Sequence, residues 1–271
     1  KINNCIFFNS LFEVSMLDTV TIANNRFFVE KDKFYPGSDV IAIYVTAIGG
    51  KTTISKNYVE GFYKHGIVTS DYHSTKPGTV TIENNSICGT TAMLKALNCN
   101  GSATANIFYN SIYSSHTDTS TANSALIISS IKNVNLKNNI IYNKNGLIAD
   151  IQSSLLTGSD YNVFFSDKKF FRYEGVSKTF ADFKTVTNSD LHSIFLNPKY
   201  TSDSDLHYKN DTLNGFAIPI AQISDDIQNK KRDVIHPNPG AFETKADSLL
   251  DDINKDLTVT SVGTLDMGNN T

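Results

Sequence analysis

Glu60, Tyr63, Lys64 and His65 crowd into one short stretch of this 271-residue chain, offering a carboxylate, a phenol, an amine and an imidazole to one ligand. Two polar runs flank them in sequence. Residues 31–39 contain Asp32, Phe34, Tyr35, Pro36 and Gly37, and residues 114–123 contain His116 and Asp118. Aromatic bodies with polar tips, set among carboxylates and imidazoles, suit a sugar or a short glycan. The same residue types also serve glycan cleavage. Inverting hydrolysis needs an acid and a base roughly 6.5–9.5 Å apart, and the spacing offers no such pair on neighbouring repeats. Elimination beside a uronate needs an Arg or Lys base, often with Ca²⁺. There are only three Arg, namely Arg26, Arg172 and Arg232, and no acidic cluster accompanies Arg26. Binding without turnover is therefore the expectation, and a polysaccharide lyase or glycoside hydrolase is the alternative. No cofactor is expected. Asp203 and Asp205 supply hard oxygen ligands for Ca²⁺, but two carboxylates alone do not define a site.

The elements that must position these residues announce themselves as a repeat. An apolar residue, then Asn, then another apolar residue recurs in Ile22 to Phe27, Ile54 to Val59, Ile82 to Ile87, Ile107 to Ile112 and Leu136 to Ile141. The anchoring Asn positions are 4, 25, 57, 85, 110, 139 and 162, with gaps of 21, 32, 28, 25, 29 and 23 residues. Repeats of this length mean a solenoid. Each unit holds at least two runs of strand-forming residues, such as Ile41 to Val45 and Ala125 to Ile128, which excludes a helical repeat. The fold class is all-β, a right-handed parallel β-helix of about seven coils with an irregular C-terminal cap. Asn tolerates left-handed backbone geometry. Stacked coil on coil, its amide donates to one neighbour and accepts from the other, so these Asn are structural. The two polar runs are insertions at the same corner, three coils or about 14 Å apart. Together they wall a groove floored by Glu60, Tyr63, Lys64 and His65, with Cys88, Gly89 and Thr90 on the next coil.

Net charge is −3, which gives no reason to expect nucleic acid or an anionic membrane as partner. Three Cys without metal-ligand spacing are neither a disulfide framework nor a zinc site. No apolar stretch has the length of a membrane span. The domain reading is 1–165 for the coils, 166–243 for their cap, with a short helix around Phe180 to Lys184, and 244–271 for a linker and the start of a further domain. The repeat is already running at Asn4, so the chain is read as a piece of a longer protein.

At the C-terminal block the sequence resembles right-handed parallel β-helix repeat proteins, modules of large exported or surface proteins of Bacteroidetes-type bacteria. The resemblance rests on Ser159 to Phe164, on Asp190, His192 and Ser193, on Asn197, Pro198 and Tyr200, and on Asp226, Arg232, Gly240, Ala241, Phe242 and Glu243. It implies that the last four of these form the final strand, and that the cap residues are structural. It also implies a secreted or cell-surface, monomeric module with a polysaccharide or cell-surface glycan as partner. The usual approach to that strand carries a Gly that is missing from Asp226 to Arg232, which puts a tight turn there in question. Lys64-His65-Gly66 resembles part of one phrase of pectinase-like hydrolases. Residues from Asp256 onward resemble the start of an immunoglobulin-like adhesion module.

Overall fold

A computed structural model describes residues 1–15, 19–30, 41–46, 50–61, 65–70, 78–89, 98–100, 104–115, 123–152, 155–168 and 170–244. The chain winds as a parallel β-solenoid whose first six coils each place one strand in each of three sheets. The first sheet stacks Ile2–Asn3, Thr19–Ala23, Lys51–Ser55, Thr79–Glu83, Thr104–Phe108 and Asn133–Lys137. The second stacks Ile6–Phe8, Arg26–Val29, Tyr58–Gly61, Ser86–Gly89, Ser111–Ser114, Ile140–Asn143, Val163–Phe165 and Ile194–Phe195. The third runs from Phe12–Ser15 through Ile41–Thr46, His65–Ser70, Asn98–Asn100, Ser124–Ser129 and Leu147–Gln152 to Phe171–Tyr173. An antiparallel strand, Val176–Lys178, closes that last edge.

Register follows the apolar pattern, because a one-residue slip would turn every core side chain outward. Ile22, Ile54, Ile82, Ile107 and Leu136 form one inward rank on the first sheet. Phe27, Val59, Ile87, Ile112, Ile141 and Phe164 form another on the second. All are at most 1% exposed, and each such side chain contributes about 1.5–3 kcal/mol by leaving water.

Beside this core runs the asparagine ladder, at Asn25, Asn57, Asn85, Asn110, Asn139 and Asn162, all 0% exposed. Asn85 shows the pattern. Its Oδ1 accepts from the backbone N–H and the Nδ2 of Asn57, while its Nδ2 donates to Ile54 O in the coil before and to Asn110 Oδ1 in the coil after. Two sequence expectations are corrected here. In the first coil the ladder position is Cys5, not Asn4: Cys5 N donates to Asn25 Oδ1. Left-handed geometry also belongs to the residue before each ladder Asn, namely Asn4, Asn24, Lys56, Asn84, Tyr109, Asn138 and Tyr161, with φ between 52° and 61°. That residue turns the corner, and the turn aims the next side chain inward.

The ladder ends on a substitute amide. Ser193 Oγ accepts the N–H of Asn162, and Asp190 Oδ1 accepts its Nδ2. A hydroxyl and a carboxylate thus do together what one carboxamide oxygen does elsewhere. Asp190 is 1% exposed and also takes the hydroxyls of Ser159 and Ser193. Burial raises its pKa against the pull of those hydrogen bonds.

The region read as one cap does two things. Helix α1 (Phe180–Thr187) begins at Thr179, whose Oγ1 accepts from Asp182 N, and ends at Asn188 in left-handed geometry. It lays Phe183 flat on Phe171, with centroids 4.4 Å apart, and Phe180 against Phe164, so it plugs the end of the core. Residues 197–244 instead turn back along the outside of the solenoid as a strap over the second sheet. The strap covers the outward rank Cys88, Tyr113 and Tyr142 with Leu206, Ile227, Ala241 and Phe242. Residues 240–243 join no sheet, against the expected final strand. The questioned turn is present: Asn229 takes φ 65°, and Asp226 N donates to Lys230 O across it. Asn stands there because it is the non-glycine residue that best bears left-handed geometry.

Candidate functional site: the open face of the first three coils

Of the residues expected to form a groove, Asp32, Tyr35, Tyr63, Lys64, His116 and Asp118, with Thr90, lie outside the described residues. The two that are described stand on different sheets. Glu60 faces outward from the second sheet, half-buried, in register with Phe28 on one side and Cys88 on the other. His65 opens a third-sheet strand beside Ile41 and is 8% exposed. Between them Gly61 holds φ 114°, and a Cβ there would meet Val29 O at 2.1 Å, so the chain crosses this corner in contact with the coil before. Cys88, expected on the groove floor, lies under the strap, its Sγ 3.7 Å from Ser204 O. Desolvation pushes its thiol pKa well up, which makes it inert.

What stays open is the outer face of the first two coils, with the strap's edge meeting the third at Lys56 and Tyr58. Phe8 and Phe28 stack there with centroids 5.3 Å apart, and Phe8 is 56% exposed. The Arg26 guanidinium lies 4.8 Å from the centre of the Tyr58 ring. Such a pair adds about 0.5–1 kcal/mol at an exposed site. Burial raises the Tyr58 phenol's pKa while Arg26 pulls it back. At the neighbouring corner a cleft of about 450 Å³ is lined by Asn4, Asn24, Arg26, Lys56, Tyr58 and the strap residues Ile227, Gln228 and Asn229. Lys56 Nζ donates to Asn229 Oδ1 at 2.8 Å and stands 3.9 Å from Asp225. Asp225 is itself paired with Lys231, which holds its carboxyl below the usual range. The cleft therefore has two cations and no carboxylate in its lining.

The sequence singles out Arg26, but it does not mark Lys56, Asn24 or the strap residues as parts of one site. The available signal was positional. Asn4, Asn24 and Lys56 each precede a ladder position, so they share one corner.

The other candidate groups are engaged within the protein. Asp203 accepts from Tyr113 Oη at 2.8 Å, and Asp205 holds His207 Nδ1 at 2.5 Å. His192 pairs through Nδ1 with Asp160 at 2.7 Å and stacks on Tyr161. Arg172 pairs with Asp150. Arg232 lies 3.9 Å from the Tyr109 ring and donates to Asn84, Asn238, Gly240 and Glu243. Among the described residues no three His, Cys, Asp or Glu gather as metal ligands, and no helix is long and apolar enough to cross a membrane. No family model matches this chain, and neither a curated protein nor a solved structure matches it.

Proposed function

We propose that this chain is a non-catalytic module of a secreted or cell-surface protein, in which the solenoid is architecture and the open face of its first two coils holds an extended glycan. We read the coil as right-handed and of the kind found in large exported proteins of Bacteroidetes-type bacteria, on the C-terminal phrases that resemble them. The single observation that supports the binding reading is the strap's limit. It covers the aromatic outer rank from Cys88 onward, reaches Tyr58 with Phe242 at its edge, and leaves Phe8, Phe28 and Arg26 as a ring-and-cation surface beside a cleft. Sugar rings stack on aromatic faces, and polar groups fix their orientation. Against hydrolysis stands the register of Glu60, whose neighbours Phe28 and Cys88 supply no second carboxylate.

The test is a panel of neutral and uronate-containing polysaccharides. Binding is followed together with reducing ends and unsaturated-product absorbance, with and without Ca²⁺. Binding without new ends is the expected result. Arg26→Ala and Phe8→Ala, both exposed positions, should each weaken it about tenfold, or roughly 1.4 kcal/mol. New chain ends from the purified protein would replace this reading with the enzyme.

A further inference from the structure

The corner between the first and second sheets carries one left-handed residue per coil, and the strap shows what that rank binds. Asn138 clasps Ile218 of the strap, donating Nδ2 to its carbonyl at 2.8 Å and accepting its N–H at 3.1 Å. Tyr109 Oη donates to the same carbonyl at 2.6 Å. Asn84 donates to Asp225 O at 2.9 Å. On the covered coils, then, the rank is a track that hydrogen-bonds main-chain carbonyls and, at Asn138, a main-chain N–H.

The track continues past the end of the strap. Asn4 is exposed and its side-chain amide has no partner among the described residues; Asn24 spends Nδ2 on Asn3 and leaves Oδ1 unclaimed. Next to them Arg26 has no carboxylate partner among the described residues, and Lys56 shares the Asp225 carboxylate with Lys231. Open amides and an excess of positive charge thus share one cleft of about 450 Å³. Such an excess beside a cleft draws an anion, and a carboxylate is well matched to the Arg fork.

We propose that this cleft takes an acidic polysaccharide in which uronate alternates with acetamido sugars; the proposal rests on the glycan reading above. The acetamido group offers a carbonyl and an N–H. Its carbonyl accepts from Asn4 as the carbonyls of Ile218 and Asp225 accept from Asn138 and Asn84, and its N–H donates to Asn24 Oδ1 as that of Ile218 does to Asn138 Oδ1. The uronate carboxylate lies between Arg26 and Lys56. From Asn4 to Lys56 is two coils, about 10 Å at the strand spacing, a span comparable to one disaccharide. An acidic peptide also offers amides and carboxylates, but its carboxylates ride on flexible side chains. Pyranose rings hold the two groups at a fixed separation and lie flat against Phe8, Phe28 and Tyr58.

The test titrates the full chain with four probes: hyaluronan oligosaccharides, oligogalacturonate, chitin oligosaccharides and poly-glutamate. Hyaluronan should bind about tenfold more tightly than either single-feature sugar. The double variant Asn4→Gly, Asn24→Gly keeps the left-handed corners and removes only the amides. It should bring hyaluronan down to the level of oligogalacturonate and leave oligogalacturonate unchanged. Arg26→Ala should weaken both. Equal binding of hyaluronan and oligogalacturonate would overturn the acetamido assignment while the glycan reading stands. Silence with all three glycans would remove both readings. Poly-glutamate binding above every glycan would overturn the proposal and make the corner a peptide track.

Discussion

At the scale of single residues, the ladder Asn does four jobs with one carboxamide, and no other side chain of that size can. Asn110 accepts twice from Asn85 and donates to Ile82 O and to Asn139 Oδ1, each at 2.9–3.0 Å. Asn110→Asp is nearly isosteric but cannot donate. It strands the Ile82 carbonyl and sets a carboxylate oxygen against Asn139 Oδ1 in a site that is 0% exposed. A buried, unpaired charge costs on the order of 3–5 kcal/mol. The unfolding free energy of this variant should fall by that amount, through a lower guanidinium midpoint at unchanged slope. A loss of less than about 1 kcal/mol would mean that the ladder is ornamental. The repeated phrase made these Asn visible in the sequence. Their partners were legible too, because identical spacing forces identical neighbours.

At the scale of elements, the strap is held by a buried network rather than by sheet pairing. Asp226 Oδ1 accepts the N–H groups of Gln228 and Lys230, and its Oδ2 accepts that of Glu243. Glu243 Oε2 accepts from Asn238 N and from Arg232 Nη1. Desolvation lifts the Glu243 carboxyl from 4.5 to about 7, against the pull of Asn238, Arg232 and Lys230. The sign follows directly. Between pH 4.5 and about 7 the folded chain holds a proton that the unfolded chain has released, so stability falls as pH rises through that window. Asp190, also raised by burial, acts in the same sense. Denaturation midpoints measured across this range should decline, and Glu243→Gln should flatten the decline. A slope unchanged in that variant would assign the effect to Asp190 and Glu83, the other carboxyls among the described residues that burial raises. The sequence showed that these residues belong together but not that the network is buried, because burial comes from a surface more than a hundred positions upstream.

At the scale of the whole molecule, the strap ties the C-terminal block to coils far back in the chain. Arg232 reaches Asn84 across 148 positions, and Lys56 reaches Asn229 across 173. The strap backbone also approaches the coils tightly at Gly240, whose N–H donates to Asn138 O. There φ is 78°, and a Cβ would stand 2.6 Å from Ser111 Oγ and 2.9 Å from Ile140 Cδ1. Gly240→Val should therefore lift the strap and leave the solenoid wound. Cys88 reports this directly. In a Cys5→Ser, Cys99→Ser background its thiol should resist an aromatic disulfide reagent under native conditions, then react once Gly240→Val is added. A thiol equally protected in both proteins would show that the strap does not depend on this contact.

The sequence by itself determined the solenoid, the identity of the ladder and the position of the plugging helix. Those depend on local periodicity, and a strict repeat stacks like on like. Structural roles for Asp190, Ser193, Arg232 and Glu243 came from the resemblance of the C-terminal block, not from the repeat. Only the tertiary structure decided that the ladder starts at Cys5, that left-handed geometry falls one residue earlier, and that residues 197–244 return along the outside instead of sealing an end. The same return buried Cys88, engaged Lys56 and left Asn4, Asn24 and Arg26 open. No periodic signal encodes such a choice. It follows from which outward ranks are apolar enough to be covered, and that is settled by side chains meeting across the whole length of the chain.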